Sequence, residues 1–134
     1  MSQENVEILR RFAKVFQTGD LERVVSQFFD PEIEWRTSAE DPDAATYRGP
    51  EAYKRYVEQW WESFEGLQAQ VEEYIDAGDQ VIVRIAQKGR GDDSGVPVTG
   101  TFWFVLGVRN QKVVTLDMYA TREEALEATG LKDQ

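Results

Sequence analysis

Residues 80–119 read QVIVRIAQKGRGDDSGVPVTGTFWFVLGVRNQKVVTLDMY, and this stretch decides the fold. Three runs rich in β-branched and aromatic residues, 80–88, 96–108 and 112–119, are separated by turn-forming segments. The first connection, 89–95 (GRGDDSG), is glycine-rich; the second, Arg109-Asn110-Gln111, is tight. Consecutive strands joined this way pair antiparallel as a meander. The runs 81–86 (VIVRIA) and 101–106 (TFWFVL) are apolar at successive positions, so both faces of those strands need cover.

Working back toward the N-terminus, Ala77-Gly78-Asp79 is a turn signal. Before it, Leu67, Ala69, Val71 and Ile75 alternate with mostly polar residues and predict one more strand. Upstream of Gly66 the period changes to helical. Tyr53, Tyr56, Val57, Trp60, Trp61 and Phe64 form a stripe behind Pro50, which suits a helix start. Val6, Leu9, Phe12, Ala13 and Phe16 predict a helix over 3–18. Asp20 then caps a second one carrying Leu21, Val24, Val25 and Phe28, and Asp30-Pro31 stops it. Ile33 and Trp35 alternate with Glu34 and Arg36 as in a short strand. Residues 38–48 read as a polar loop over one end of the domain. After the meander, Thr121 and Glu124 form a capping box and Gly130 ends a short helix. Helices first and strands after them predict an α+β fold in a single domain over 1–134.

Composition narrows the function. The 134 residues hold 25 Asp+Glu against 15 Lys+Arg, a formal charge of −10, which argues against nucleic acid or an anionic membrane as partner. No cysteine excludes disulfides and thiolate chemistry, and no histidine excludes imidazole relays and His-ligated metal. Glu40, Asp41 and Asp43 make a sparse acidic loop without an EF-hand pattern, so no metal and no cofactor is expected. GRGDDSG lacks the Gly-Lys-Ser/Thr ending of a phosphate loop. With no long apolar run and no leader, a cytoplasmic location is the expectation.

Four segments in this order carry a family likeness: VEILRRFAKVFQTGDLERVVSQFFDPEIEW (6–35), YRGPEA (47–52), IDAGDQVIVRIAQKGRG (75–91) and NQKVVTLDMYATREEALEATG (110–130). The chain resembles the SnoaL-like group of the nuclear transport factor 2-like superfamily, which includes ketosteroid isomerase and limonene epoxide hydrolase. The resemblance implies a curved antiparallel sheet wrapped around N-terminal helices, a cone-shaped, cystatin-like α+β roll. It also implies an apolar pocket inside the cone and, commonly, a homodimer. The fold hosts isomerases, hydrolases, cyclases and binding modules, so the pocket must decide the function.

The family's catalytic positions match poorly. The tyrosine of the ketosteroid isomerases falls at Phe12, the carboxylate base at Arg36 or Thr37, and the second acid at Trp103. The Arg-x-Asp of the epoxide hydrolases falls on Arg84-Ile85-Ala86. The aspartate of the last strand falls on Met118; Asp117 is adjacent, but alternation points it to the opposite face unless a bulge intervenes. The expected ligand pocket therefore holds Phe12, Phe16, Trp35, Tyr56, Trp60, Arg84, Trp103 and Met118. It would take a small apolar or aromatic molecule, and the alternative is that these aromatics only fill a core. Arg84 is the catalytic candidate, placed in the cavity by the resemblance, although Val81, Val83 and Ile85 look like the helix-facing set. A hairpin centred near Gly78 offers Glu72 as its acidic partner.

Two functions stay open. One is a small-molecule binding fold without the familiar carboxylates. The other is an isomerase, polyketide cyclase or epoxide hydrolase-type enzyme using Arg84 with Tyr56, Trp35 or an acid elsewhere, or else a non-catalytic dimerisation module. The outer face of the sheet is expected to pair with a second copy, because its apolar strands need cover.

Overall fold

The protein's computed structural model describes residues 2–36, 46–91 and 95–131. The first helix, α1, spans Ser2–Gln17, and α2 spans Leu21–Phe28. Asp20 caps α2 by accepting a hydrogen bond from Arg23 N at 3.1 Å. Strand β1 (Phe29–Arg36) follows at once, burying Phe29, Ile33 and Trp35. Helix α3 runs Pro50–Glu62, with proline in its first turn. The meander is β3 (Phe64–Asp76), β4 (Gln80–Gly91), β5 (Pro97–Arg109) and β6 (Lys112–Tyr119). Helix α4 (Arg122–Thr129) closes the chain: Thr121 Oγ1 accepts from Glu124 N, and Gly130 ends it in the left-handed conformation.

Two features differ from the sequence expectation. The end of the polar loop pairs as a short strand, β2 (Thr46–Arg48), antiparallel to β1. Tyr47 pays for that pairing by stacking on Trp35, a contact that local composition does not announce. Phe64 belongs to β3, not to the helix whose stripe it extends; Ser63 already ends α3. Residues 37–45 and 92–94, which include Thr37, the acidic loop and part of GRGDDSG, lie outside the described residues.

The six strands form one curved, unclosed sheet in the order β2-β1-β6-β5-β4-β3. It is mixed: the meander and the β1–β2 pair are antiparallel, whereas β1 runs parallel to β6. The β1–β6 register shifts between Phe29 and Glu34, where Pro31 has no N–H to give the ladder.

The sheet separates two cores. On the inner face α1, α2 and α3 pack Leu9, Val24, Phe28 and Val57 against Val81, Val83, Leu106 and Leu116. On the outer face α4 sets Ala125 and Leu126 against Ile82, Trp103 and Val105. The outer-face apolar side chains that called for a second copy are thus covered in part by the chain's own last helix. Among the described residues, no helix is long and apolar enough to cross a membrane.

Candidate functional site

Strand register assigns every candidate to a face. One inner row crosses four strands as Tyr74, Val83, Phe104 and Met118, each opposite the next. Another runs Val81, Leu106, Leu116 and Trp35. Between them lies an outer row, Ile75, Ile82, Val105, Asp117 and Arg36. Beyond the first inner row lies a second outer one, Glu73, Arg84, Trp103 and Tyr119. The period of two makes these assignments interdependent: with Met118 inside, Asp117 is outside.

The inner rows and two helices enclose a cavity of about 120 Å³. Helix α1 contributes Leu9, Phe12, Ala13 and Phe16, and α3 contributes Tyr53, Tyr56, Val57, Trp60 and Trp61. Trp35, Val83, Ile85, Gln87, Phe104 and Met118 form part of the sheet wall. The helical members recur at three- and four-residue spacing, so each helix turns one aromatic edge toward the sheet. Of the eight expected residues, Phe12, Phe16, Trp35, Tyr56, Trp60 and Met118 come together around this cavity. Arg84 and Trp103 do not; they project from the outer face. The match to the family had overridden the local pattern of Val81, Val83 and Ile85, which correctly turns Arg84 away from the helices. Sequence reasoning did not include Val83, Phe104 and Gln87 among the pocket residues. Their signal was alternation within β4 and β5, legible only once the inner face is known.

The rings hold one another in place. Trp35 stacks on Tyr47 at 4.9 Å between centroids and meets Tyr56 edge-on at 4.6 Å and Tyr53 at 5.8 Å. Phe12 stacks on Phe29 at 5.6 Å, and Phe16 meets Trp61 edge-on at 5.7 Å. The polar atoms are few. Trp60 Nε1 donates to Gln87 Oε1 at 2.8 Å, which fixes the orientation of that carboxamide. Burial pushes the Tyr53 phenol well above its ordinary pKa, so it stays neutral at physiological pH. None of the described lining residues carries a charge.

The ionisable groups sit across the sheet. Asp117 is 8% exposed and receives both Arg36 Nε (2.7 Å) and Arg36 Nη2 (2.9 Å), a bidentate pair. The hydrogen bond to Asp117 and its negative charge raise the Arg36 pKa further. Arg84 Nε lies 3.6 Å from Glu72 Oε1. Its backbone partner is Glu73, because the β3–β4 register shifts between Val71 and Glu73 and takes up Glu72 as an extra residue. Glu73 in turn accepts from Arg122 Nη1 at 2.8 Å. The guanidinium carbons of Arg84 and Arg122 lie 5.7 and 5.6 Å from the centre of the Trp103 ring. This is a structural cluster tying α4 to the sheet. Among the described residues, no three His, Cys, Asp or Glu side chains gather as a metal-ligand set.

The model of the SnoaL-like domain matches residues 9–116. No curated protein matches the chain. Among solved structures, an NTF2-like protein from Burkholderia xenovorans LB400 is 25% identical, with a TM-score of 0.71 over 96% of this chain and 98% of that one. TerC co-crystallised with polyporic acid is 20% identical, with a TM-score of 0.73 over 94% and 98% of the two chains. A hypothetical protein with a ketosteroid isomerase-like fold from Catenulispora acidiphila, in complex with trimethylamine, is 17% identical, with a TM-score of 0.70 over 94% of each chain. At the last two levels of identity the likeness is one of fold.

Proposed function

The chain belongs to the SnoaL-like domain family, and from that premise we propose that it binds a small, uncharged hydrophobic molecule in the aromatic cavity without general acid–base chemistry of the family's carboxylate kind. One observation carries this reading. The described cavity wall has aromatic, aliphatic and amide side chains and no charged group, while the buried carboxylate, Asp117, is held by Arg36 on the far side of the sheet. A reaction that starts by removing a proton needs a base within hydrogen-bond reach of the substrate. Arg84 does not serve the alternative enzymatic reading either, because it faces away.

Size supports the reading as well. An apolar cavity of about 150 Å³ in another protein takes up benzene. The volume here, about 120 Å³, suits one ring with a small substituent, not a fused four-ring skeleton. Two of the similar structures were solved with an organic molecule, polyporic acid in one and trimethylamine in the other.

Thermal denaturation with toluene, ethylbenzene and larger ring systems tests the proposal. A ligand at one hundred times its dissociation constant stabilises by about 2.7 kcal/mol. Wild type is expected to show a shift with single-ring compounds, and Ala13→Phe, which places a ring in the cavity, to lose it. Trp103→Ala is expected to keep it. No shift with any compound would make the aromatic cluster a filled core.

For assembly, we propose a homodimer through the part of the outer sheet face beyond the cluster of Arg84, Trp103 and Arg122, around the Ala86–Thr101 pair. A monomeric mass in sedimentation at micromolar concentration would remove that proposal.

A further inference from the structure

Burial along the cavity wall falls from one end to the other. On β4, Val81 and Val83 are buried while Ile85 and Gln87 are half-buried; on β5, Leu106 is buried while Phe104 and Phe102 are half-buried. Both helices repeat the trend. On α1 the buried Leu9 gives way to half-buried Phe12 and Phe16, and on α3 Tyr53 and Val57 give way to Trp60 and Trp61. The cavity is therefore closed at the Val81–Leu106 end and opens at the end marked by Phe16, Trp61, Trp60 and Gln87.

Gln87 is the polar side chain of the sheet wall at that mouth. Register puts it on the inner face, two residues beyond Ile85 and opposite Gly100. An indole N–H can only donate, so Trp60 Nε1 fixes the amide oxygen toward itself, at 2.8 Å, and leaves the NH2 to face elsewhere. Among the described residues that NH2 has no hydrogen-bond partner. Nor is it sealed: the two buried, unpartnered side-chain nitrogens of the described residues are Trp35 Nε1 and Arg84 Nε. The Gln87 amide nitrogen is thus an open, oriented donor on the helix-facing side of the sheet, within the cavity lining.

We propose that Gln87 is the specificity residue of the cavity: the ligand is an uncharged single-ring molecule that enters ring first, and a carbonyl oxygen on its trailing substituent accepts from Gln87 Nε2 at the mouth. The inference rests on the reading of the cavity as open to small molecules; it adds which end of the ligand faces out and what that end carries. Trp60 is a positioning residue, because without its N–H the amide is free to turn over and present its oxygen instead. A hydrocarbon of the same shape leaves the NH2 to water. A carboxylate meets no cation in the described wall and is repelled by the chain's formal charge of −10.

Calorimetric titration of the wild-type protein with acetophenone, ethylbenzene and benzoate separates these cases. Acetophenone is expected to bind about fivefold more tightly than ethylbenzene, the scale of one net hydrogen bond, and benzoate more weakly than either. Gln87→Met keeps the reach of the side chain and removes the donor, so it is expected to equalise acetophenone and ethylbenzene. Trp60→Phe is expected to narrow the preference, and an unchanged preference there would overturn its positioning role. In ¹⁵N-labelled wild type the Gln87 side-chain NH2 signals are expected to move on adding acetophenone and to respond far less to ethylbenzene; with the wild-type affinities they decide the matter if a variant does not fold. Equal affinities for acetophenone and ethylbenzene in wild type, or a preference that Gln87→Met retains, would overturn the Gln87 inference and leave the cavity reading standing. Tightest binding of benzoate would do the same. Binding of none of the three would overturn the cavity reading and this inference together.

Discussion

Asp117 is where the account is most exposed, since it is a buried carboxylate one residue from a cavity-lining position. Register places it on the outer face, in bidentate contact with Arg36, so Asp117→Asn should cost stability and leave ligand binding alone. Asparagine keeps one acceptor oxygen but loses the charge and one of two short hydrogen bonds. Hydrogen bonds to charged groups contribute about 1.5–3 kcal/mol. The Arg36 side chain is 57% exposed, so solvent screens the pair and the lower part of that range applies. We expect a loss of about 1–2 kcal/mol, which for a domain of this size lowers Tm by roughly 4–7 °C. Arg36→Gln should cost at least as much, because it leaves a mostly buried carboxylate without its cation. The double variant should cost less than the sum of the two. Urea and thermal unfolding give the energies, and calorimetry with a single-ring ligand gives the binding. An Asp117→Asn protein of wild-type stability that no longer binds would refute the register argument and bring the carboxylate into the site.

Three further outcomes follow from local geometry. Gln111 sits at φ 65° in the two-residue turn between β5 and β6, beside Asn110 at φ 52°. Gln111→Gly should therefore raise stability by about 0.5–1 kcal/mol, read as a higher urea midpoint at unchanged slope. A Cβ on Gly107 would clash with Thr115 Oγ1, which also accepts the Gly107 N–H at 3.2 Å. Gly107→Ala should cost about 1–3 kcal/mol by overpacking, and Thr115→Ala in the same chain should recover part of the loss. The buried Tyr53 phenol has its pKa raised by desolvation, with Tyr74 and Tyr119 raised in the same direction, mainly by burial. Their unfolded forms ionise near pH 10 while the folded ones hold their protons, so stability is retained below about pH 10 and falls as pH rises above it. Tyr53→Phe should flatten that alkaline limb in a denaturation series, and an unchanged limb would count against Tyr53 as a source.

The helices and the meander were readable because each obeys one period throughout. Tyr53, Tyr56 and Trp60 repeat at helical spacing, and Ile33 and Trp35 alternate as one strand. Where the reading failed, the family match or missing tertiary information was the cause. In VIVRIA the set Val81, Val83 and Ile85 already turns Arg84 away from the helices, and the family match set that local pattern aside. Arg84 and Trp103 were placed in the cavity by their match to the family's catalytic positions, whereas register puts both on the outer face, where α4 packs on Trp103. Met118, also placed by the family match, does lie on the inner face, opposite Phe104. Ile8 and Val15 fell outside the α1 stripe yet are buried, since α1 packs on α2 as well as the sheet. The pairing of β1 beside β6 and the three-residue β2 are long-range choices without a local signature.

The central claim is that the aromatic cavity admits a molecule from solution. The chain has two methionines, and Met118 lies in the cavity wall, so selective ¹³C-methyl labelling puts a reporter inside it. In a titration with acetophenone, the account predicts that the Met118 methyl signal moves saturably through the ring current of the bound probe, and that Ala13→Phe abolishes the movement. A signal that stays fixed at every concentration, or that moves equally in Ala13→Phe, would contradict it.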